Sequence, residues 1–111
     1  GGGTTGPIYT ITNLAAGQLC DLVVSGCDAS SSVIFAYSLN GAGPTNTAYG
    51  AVDMSMPIKH FSPVACDSTG TSAMSVTIPG NTSGIMVYSQ CAELLAAGGA
   101  NLTNSHAVAI Q

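Results

Sequence analysis

Few residues in this chain of 111 can do chemistry: the cysteines Cys20, Cys27, Cys66 and Cys91, the histidines His60 and His106, four aspartates and a single glutamate, Glu93. No two of the cysteines form a C-x-x-C pair and their spacings are wide, which fits disulfides made in an oxidising compartment better than a metal centre. Zinc would need a second kind of ligand, and neither histidine stands at a ligand spacing. No metal site is read.

A triad drawn from Asp53, His60 and one of the many serines is formally available, but only a loop places Asp53 and His60, and serine is abundant everywhere. Glu93 has no second Glu beside it, so a carboxylate pair for sugar hydrolysis would have to draw on aspartates in turns. Asp67 lacks the D-x-[DN]-x-[DN] spacing of a calcium loop and reads as a turn residue. There is no G-x-S-x-G elbow, no P-loop and no strand followed by G-x-G-x-x-G. The "GAGPT" run at 41–45 has glycines without the Lys and the following helix that would hold a phosphate. The chain is therefore read as no enzyme, with neither catalytic residues nor a cofactor.

Asn81-Thr-Ser and Asn101-Leu-Thr match the acceptor pattern for N-linked sugar, and both fall in predicted loops. Chance matches are frequent in a chain so rich in Asn, Ser and Thr. Tyr9, Tyr37, Tyr49 and Tyr88 would offer a platform for a glycan, but Trp is absent, and Tyr37 and Tyr88 fall on predicted central strands where packing accounts for them.

Charged residues make up 5% of the chain, against about 25% in a typical globular domain. One Lys, Lys59, no Arg and a net charge of −4 leave no electrostatic footprint for a phosphate backbone and no basic face for anionic lipid. Nucleic acid is excluded as a partner. No apolar run approaches the roughly 18 residues of a membrane span. Ser, Thr, Asn, Gly and Ala must face the solvent, and they oppose self-association far less than charge does. Such a surface fits an extracellular protein selected for protease resistance, or one whose surface is covered in its working state. The start at Gly1 without Met implies a removed leader or a fragment, and the leader is preferred here. The expected location is extracellular, at the cell surface.

Short alternating segments separated by Gly, Pro, Asn, Asp and Ser clusters predict antiparallel strands. "IYTIT" at 8–12 is the first, and "LCDLVVSG" at 19–26 the second, with Cys20, Leu22 and Val24 facing inward. "SVIFAYSL" at 32–39 is apolar on both faces and reads as central. Residues 40–50 read as a long loop, 60–66 as an edge strand marked by its prolines, and Asp67 to Gly70 as the clearest hairpin turn, with Met74, Val76 and Ile78 inward. Strands at 84–91 and 105–110 complete the set, and "AELLAAGGANLTN" between them is given one helical turn. About seven strands in one domain, 7–111, predict an all-β, immunoglobulin-like antiparallel β-sandwich. In that topology Cys27, Cys66 and Cys91 fall near one pole and Cys20 lies down its strand. Three connectivities are open. The one chosen here joins Cys27 with Cys91 and Cys20 with Cys66, the first closing a long loop for which chain entropy gives about 4 kcal/mol.

The run "NLAAGQ", "FAYSLNGAGPTNTAYG", "DMSMPIK", "CDSTGTSAMSVTIP", "VYSQ" and "NSHAVAI" resembles a small secreted β-sandwich module of exported proteins in environmental bacteria. The likeness covers nearly the whole chain, and "YSLNGAGPT" at 37–45 is its most specific part. The resemblance implies an immunoglobulin-like, non-enzymatic extracellular module whose similar chains act as building units of surface filaments. The four cysteines depart from it, standing where small residues such as Ala or Thr are expected.

The N-terminal segment then carries the functional reading. "GGGTTG" at 1–6 is flexible enough for a tether, and Ile8, Tyr9, Thr10, Ile11 and Thr12 have the propensity to pair with a sheet edge. Residues 7–12 either pair within their own domain or are donated to a neighbouring copy, a pilin-like mode that yields a head-to-tail homopolymer. The favoured function is a structural subunit of an extracellular filament. The alternative is a glycan- or protein-binding module from a longer secreted protein, with loop 40–50 as its contact.

Overall fold

Period-two alternation of apolar residues, broken by glycine, proline and Asx turns, gives strands and no helix among the described residues. The computed structural model describes residues 7–111, so the Gly-rich arm at 1–6 lies outside the described residues. The strands are β1 (Ile8–Thr12), β2 (Leu19–Ser25), β3 (Ser32–Ser38), β4 (Thr45–Thr47), β5 (Gly50–Val52), β6 (Lys59–His60), β7 (Val64–Ala65), β8 (Thr71–Thr77), β9 (Met86–Leu94), β10 (Ala100–Leu102) and β11 (His106–Ala109). Every pairing is antiparallel. One sheet runs β1-β2-β8; the other has β3 beside β9 at its centre, with β6 and β7 on the far side of β3 and β10 and β11 on the far side of β9. This is the strand order of an immunoglobulin-type sandwich.

The inward faces are those that alternation predicts. Cys20, Leu22 and Val24 of β2 are buried against Val33 and Phe35 of β3. Met74 and Val76 pack on that core and Ile78 is buried in it. Strand β3 is central as expected: its other face, carrying Ile34 and Ala36, is roofed by the segment that includes Val52 and Met54. Counting β6 with β7 and β10 with β11 as single broken strands, and setting aside β4 and β5, leaves the seven expected strands.

Several local expectations are corrected. Residues 40–50 are not a structureless loop: β4 and β5 form a small hairpin there. Side chains supply what the composition withholds, since Thr45 Oγ1 donates to Met54 O and Thr47 Oγ1 to Gly50 O. Gly43 is required, because at φ 70° a Cβ would lie 2.8 Å from the carbonyl oxygens of Val52 and Met54. The 60–66 strand is two pieces, interrupted where Phe61 N–H turns to Phe35 O and Pro63 has no donor. The turn after Asp67 forms, with Gly70 N–H on Asp67 O, but its flanks enter different sheets, β7 pairing β3 and β8 pairing β2. It is a corner between sheets, not a hairpin. The helical turn expected in 92–104 is absent: β9 runs on to Leu94 and β10 folds back on it. Ala92 lies opposite Ile34 on the roofed outer face and Glu93 opposite Val33 on the inner one, and pairing with β3 overrides their helix propensity.

The disulfide pairing is also corrected. Cys27 is bonded to Cys66, 39 residues away, and not to Cys91, while Cys20 and Cys91 are free and buried. Cys91 is not at the pole but lies opposite Phe35 in the middle of the β9 ladder. The bridge joins the end of β2 to the end of β7 and so ties one sheet to the other.

Glu93 holds the same pole. Its carboxylate is 2% exposed and accepts Asp28 N–H at 2.7 Å, Ser31 Oγ at 2.8 Å and Asn101 Nδ2 at 3.4 Å. Burial alone would raise its pKa, but the three donors outweigh burial and hold it below the ordinary value. A depressed carboxylate contributes stability that is present above its unfolded value, about 4.3, and lost as pH falls through the folded one. Thermal melts should therefore show a steep loss of stability below about pH 4, largely abolished in Glu93→Ala. That variant should also be less stable by about 1–3 kcal/mol at neutral pH, since it leaves donors of Asp28 and Ser31 unmet; an unchanged denaturation midpoint would show that the pole does not depend on Glu93.

Candidate functional site

The two flanks of the sandwich differ, and the segment singled out for assembly lies on the closed one. Strand β1 pairs in its own domain with β2 along its full length, from Ile8 opposite Ser25 to Thr12 opposite Asp21. Tyr9 is its anchor, 1% exposed and edge-on to both Phe35 and His106. Ser89 Oγ donates to Ala36 O at 2.6 Å, which leaves it to accept the Tyr9 hydroxyl at 2.8 Å. Burial raises the pKa of that phenol well above its usual range.

The outer edge of β1 is occupied at Tyr9. Asn104 Oδ1 accepts Tyr9 N–H at 2.8 Å and Asn104 Nδ2 donates to Tyr9 O at 3.0 Å, so one side-chain amide imitates a neighbouring strand. His106 Nε2 stands 2.7 Å from the same carbonyl; since a carbonyl only accepts, that nitrogen carries the proton. Asn104 is delivered there by the break between β10 and β11, where buried Thr103 bonds Cys91 through its main-chain N–H and its side chain. Sequence reasoning placed Tyr9 on the assembly strand but missed Asn104 and His106, because nothing in "NLTNSHAV" marks a side chain as a substitute for backbone.

Among the described residues the other flank is open. Even-numbered residues of β8 face β2, as Ile78 N–H on Gln18 O and Gly17 N–H on Ile78 O show. Thr71, an odd one, turns to Asp67 instead. Ala73, Ser75 and Thr77 therefore direct their main-chain groups away from the sheet. Beside this edge a cleft of about 490 Å³ separates the sheets, walled by Val76, Ile78, Tyr37, Leu39, Phe61 and Val87. Tyr37 stacks on Phe61 with centroids 5.8 Å apart, so its ring serves packing.

A second cleft, of about 270 Å³, lies on the outer face of the β3 sheet beneath the β4 and β5 hairpin. Its walls are apolar, chiefly Ile34, Val52, Met54 and Ile58, and Tyr49 stands exposed at its edge. Gln90 fastens the roof, accepting Asp53 N–H and donating to Thr103 O.

The remaining candidate residues are dispersed. Asp53 accepts Ser105 Oγ at 2.7 Å, His60 contacts only Phe61 O at 3.4 Å, and no hydrogen bond joins Asp53 to His60 among the described residues. Asp67 serves its own turn, accepting from Thr69 and Thr71, and these donors lower its pKa. Asn81 is exposed in a turn, but Asn101 sits in β10 rather than a loop, and Thr103 of its acceptor pattern is buried. Among the described residues there is no group of three His, Cys, Asp or Glu suited to a metal, and no helix long and apolar enough to cross a membrane.

The free thiols are unsuited to reaction. Burial pushes the Cys91 thiol up to about 12 and raises that of Cys20, so thiolate is scarce at neutral pH. Titration with a thiol reagent should find neither in the native protein, both Cys20 and Cys91 in denaturant, and all four cysteines only after reduction. Rapid modification of native protein would show that one of them is accessible. In comparisons with known proteins, no family model, no curated protein and no solved structure matches this chain.

Proposed function

We propose that this chain is a structural subunit of an extracellular filament, non-enzymatic, that assembles head-to-tail by pairing of its N-terminal strand. The observation that carries the reading is the way β1 is held. It pairs with one neighbouring strand, at the edge of its sheet, and inserts Tyr9, with half-buried Ile11 beside it, between the sheets. Every one of those contacts can be remade in the slot of another copy at no net loss, provided the connection at 13–18 opens. Six residues extended span at most about 20 Å. An exchanged strand passed from copy to copy does not close on itself and builds an open polymer. The near absence of charge supports the reading, since little repulsion opposes contact between copies.

A second reading rests on the cleft beneath β4 and β5. There an apolar pocket with exposed Tyr49 at its edge suits a binding module for a glycan or a protein.

Electron microscopy of the purified chain separates the two: filaments are expected from a subunit, and monodisperse particles at every concentration would overturn the filament reading. Deleting residues 1–12 should abolish polymers, but it also removes Tyr9 from the core. A gentler variant joins Thr10→Cys to Val23→Cys, which face each other across the β1 ladder; hydrogen-bonded antiparallel partners stand about 5.5 Å apart, within disulfide range. Locked as a dilute monomer, it should stay folded and fail to polymerise until reduced. Normal growth of the locked form would exclude β1 as the linker.

A further inference from the structure

We propose that the open edge of β8 is a contact between two copies of this chain, pairing antiparallel about a two-fold axis at Ser75. The main-chain groups of Ala73, Ser75 and Thr77 point away from β2, and the corner at Asp67 takes up those of Thr71, so the free row begins at Ala73. A row of unpaired N–H and C=O groups is completed by another strand. The row is also its own complement. With the axis at Ser75, Ala73 meets Thr77 of the second copy and Ser75 meets Ser75, and all the pairs are of the type that exchanges two hydrogen bonds, about six in total.

The side chains along the edge favour the same occupant. Ala73, Ser75 and Thr77 are exposed, small and uncharged, so the strand has none of the Lys, Pro or bulge that ordinarily keeps edges apart. The chain's single Lys lies on β6, and Asp21, opposite Ser75 on β2 and bonded to its hydroxyl at 2.7 Å, is the nearest charge on this sheet. Across the axis the two Asp21 carboxylates stand three strand spacings apart, about 14 Å, well beyond the screening length of about 8 Å in physiological salt. Behind the edge, half-buried Val76 and half-exposed Leu39 line the open cleft between the sheets, which pairing would shield.

This contact does not use Ile8–Thr12 and stands apart from the filament reading. The test is hydrogen exchange on the full chain across a concentration series, with mass by light scattering. Raising the concentration should slow the amides of Ala73, Ser75 and Thr77 tenfold or more. Ser75→Pro loses an N–H that faces away from β2 and an exposed hydroxyl bond to Asp21, and Ser75→Lys sets two ammonium groups against each other on the axis; both should remain folded and lose the slowing. Ser75→Cys should cross-link two copies through position 75 under mild oxidation. The inference is overturned if those amides exchange equally fast at all concentrations, or if the chain associates without a cross-link at 75. Loss of filaments with the β8 protection intact would sink the filament reading alone.

Discussion

The sandwich depends on one buried phenol. Tyr9 leaves an edge strand of one sheet, crosses the interior and ends its hydroxyl on Ser89 of the other, with Phe35 and His106 against its ring. Truncating a buried aromatic costs about 3–5 kcal/mol, a large share of the 5–15 kcal/mol that holds a domain of this size. Because Tyr9 also has its main chain clasped by Asn104 and His106, the outer edge of β1 is capped at that residue. The opposite flank has no such residue. Tyr37 and Phe61 stack on each other there without bridging to β8, and the sheets part around a cleft.

A chain almost without charge must satisfy its interior by other means. Among the described residues every buried side-chain polar atom has a partner, and the partners are mostly main chain. Ser38 donates to Ser55 O, Ser72 to Val64 O, Thr45 to Met54 O and Gln90 to Thr103 O. These bonds work as short rungs wherever a strand is interrupted. They allow broken edge strands such as β6 with β7 and β10 with β11 to follow a continuous neighbour, and they explain how segments full of Gly, Pro and Asn remain ordered. Glu93 is the exception: a lone buried carboxylate on which three donors converge.

The sequence was legible where one face of a strand is buried. Cys20, Leu22 and Val24, and likewise Val33 with Phe35, announce their faces by alternation, because a slip of one residue would turn all of them to solvent. It was illegible where structure depends on a single contact across the fold. Glycines and an asparagine hide the β4 and β5 hairpin, since what makes it is a threonine hydroxyl reaching Met54. The helical reading of "AELLAA" follows real local propensity, overridden by a ladder with β3 that no local window contains. The disulfide is illegible for a related reason: pairing depends on which strand ends meet at a pole, and the corner at Asp67 sends the chain to the other sheet and carries Cys66 to Cys27.

The two flanks also differ in the kind of association they permit. A self-complementary edge such as β8 consumes both copies' edges when it pairs, so it closes at two and cannot grow. A β1 exchanged one way, from copy to copy, would fill one slot and leave another empty, and so would grow wherever the exchange is not reciprocal. Neither contact needs a reactive side chain, and neither is opposed by charge at the place where it forms. What limits the first is the absence of a third edge, and what limits the second is the cost of withdrawing Tyr9 from its own core. A chain with both would make long polymers joined in pairs, stable because each contact is made of main-chain hydrogen bonds that, once shielded by apolar neighbours, have no water to exchange with.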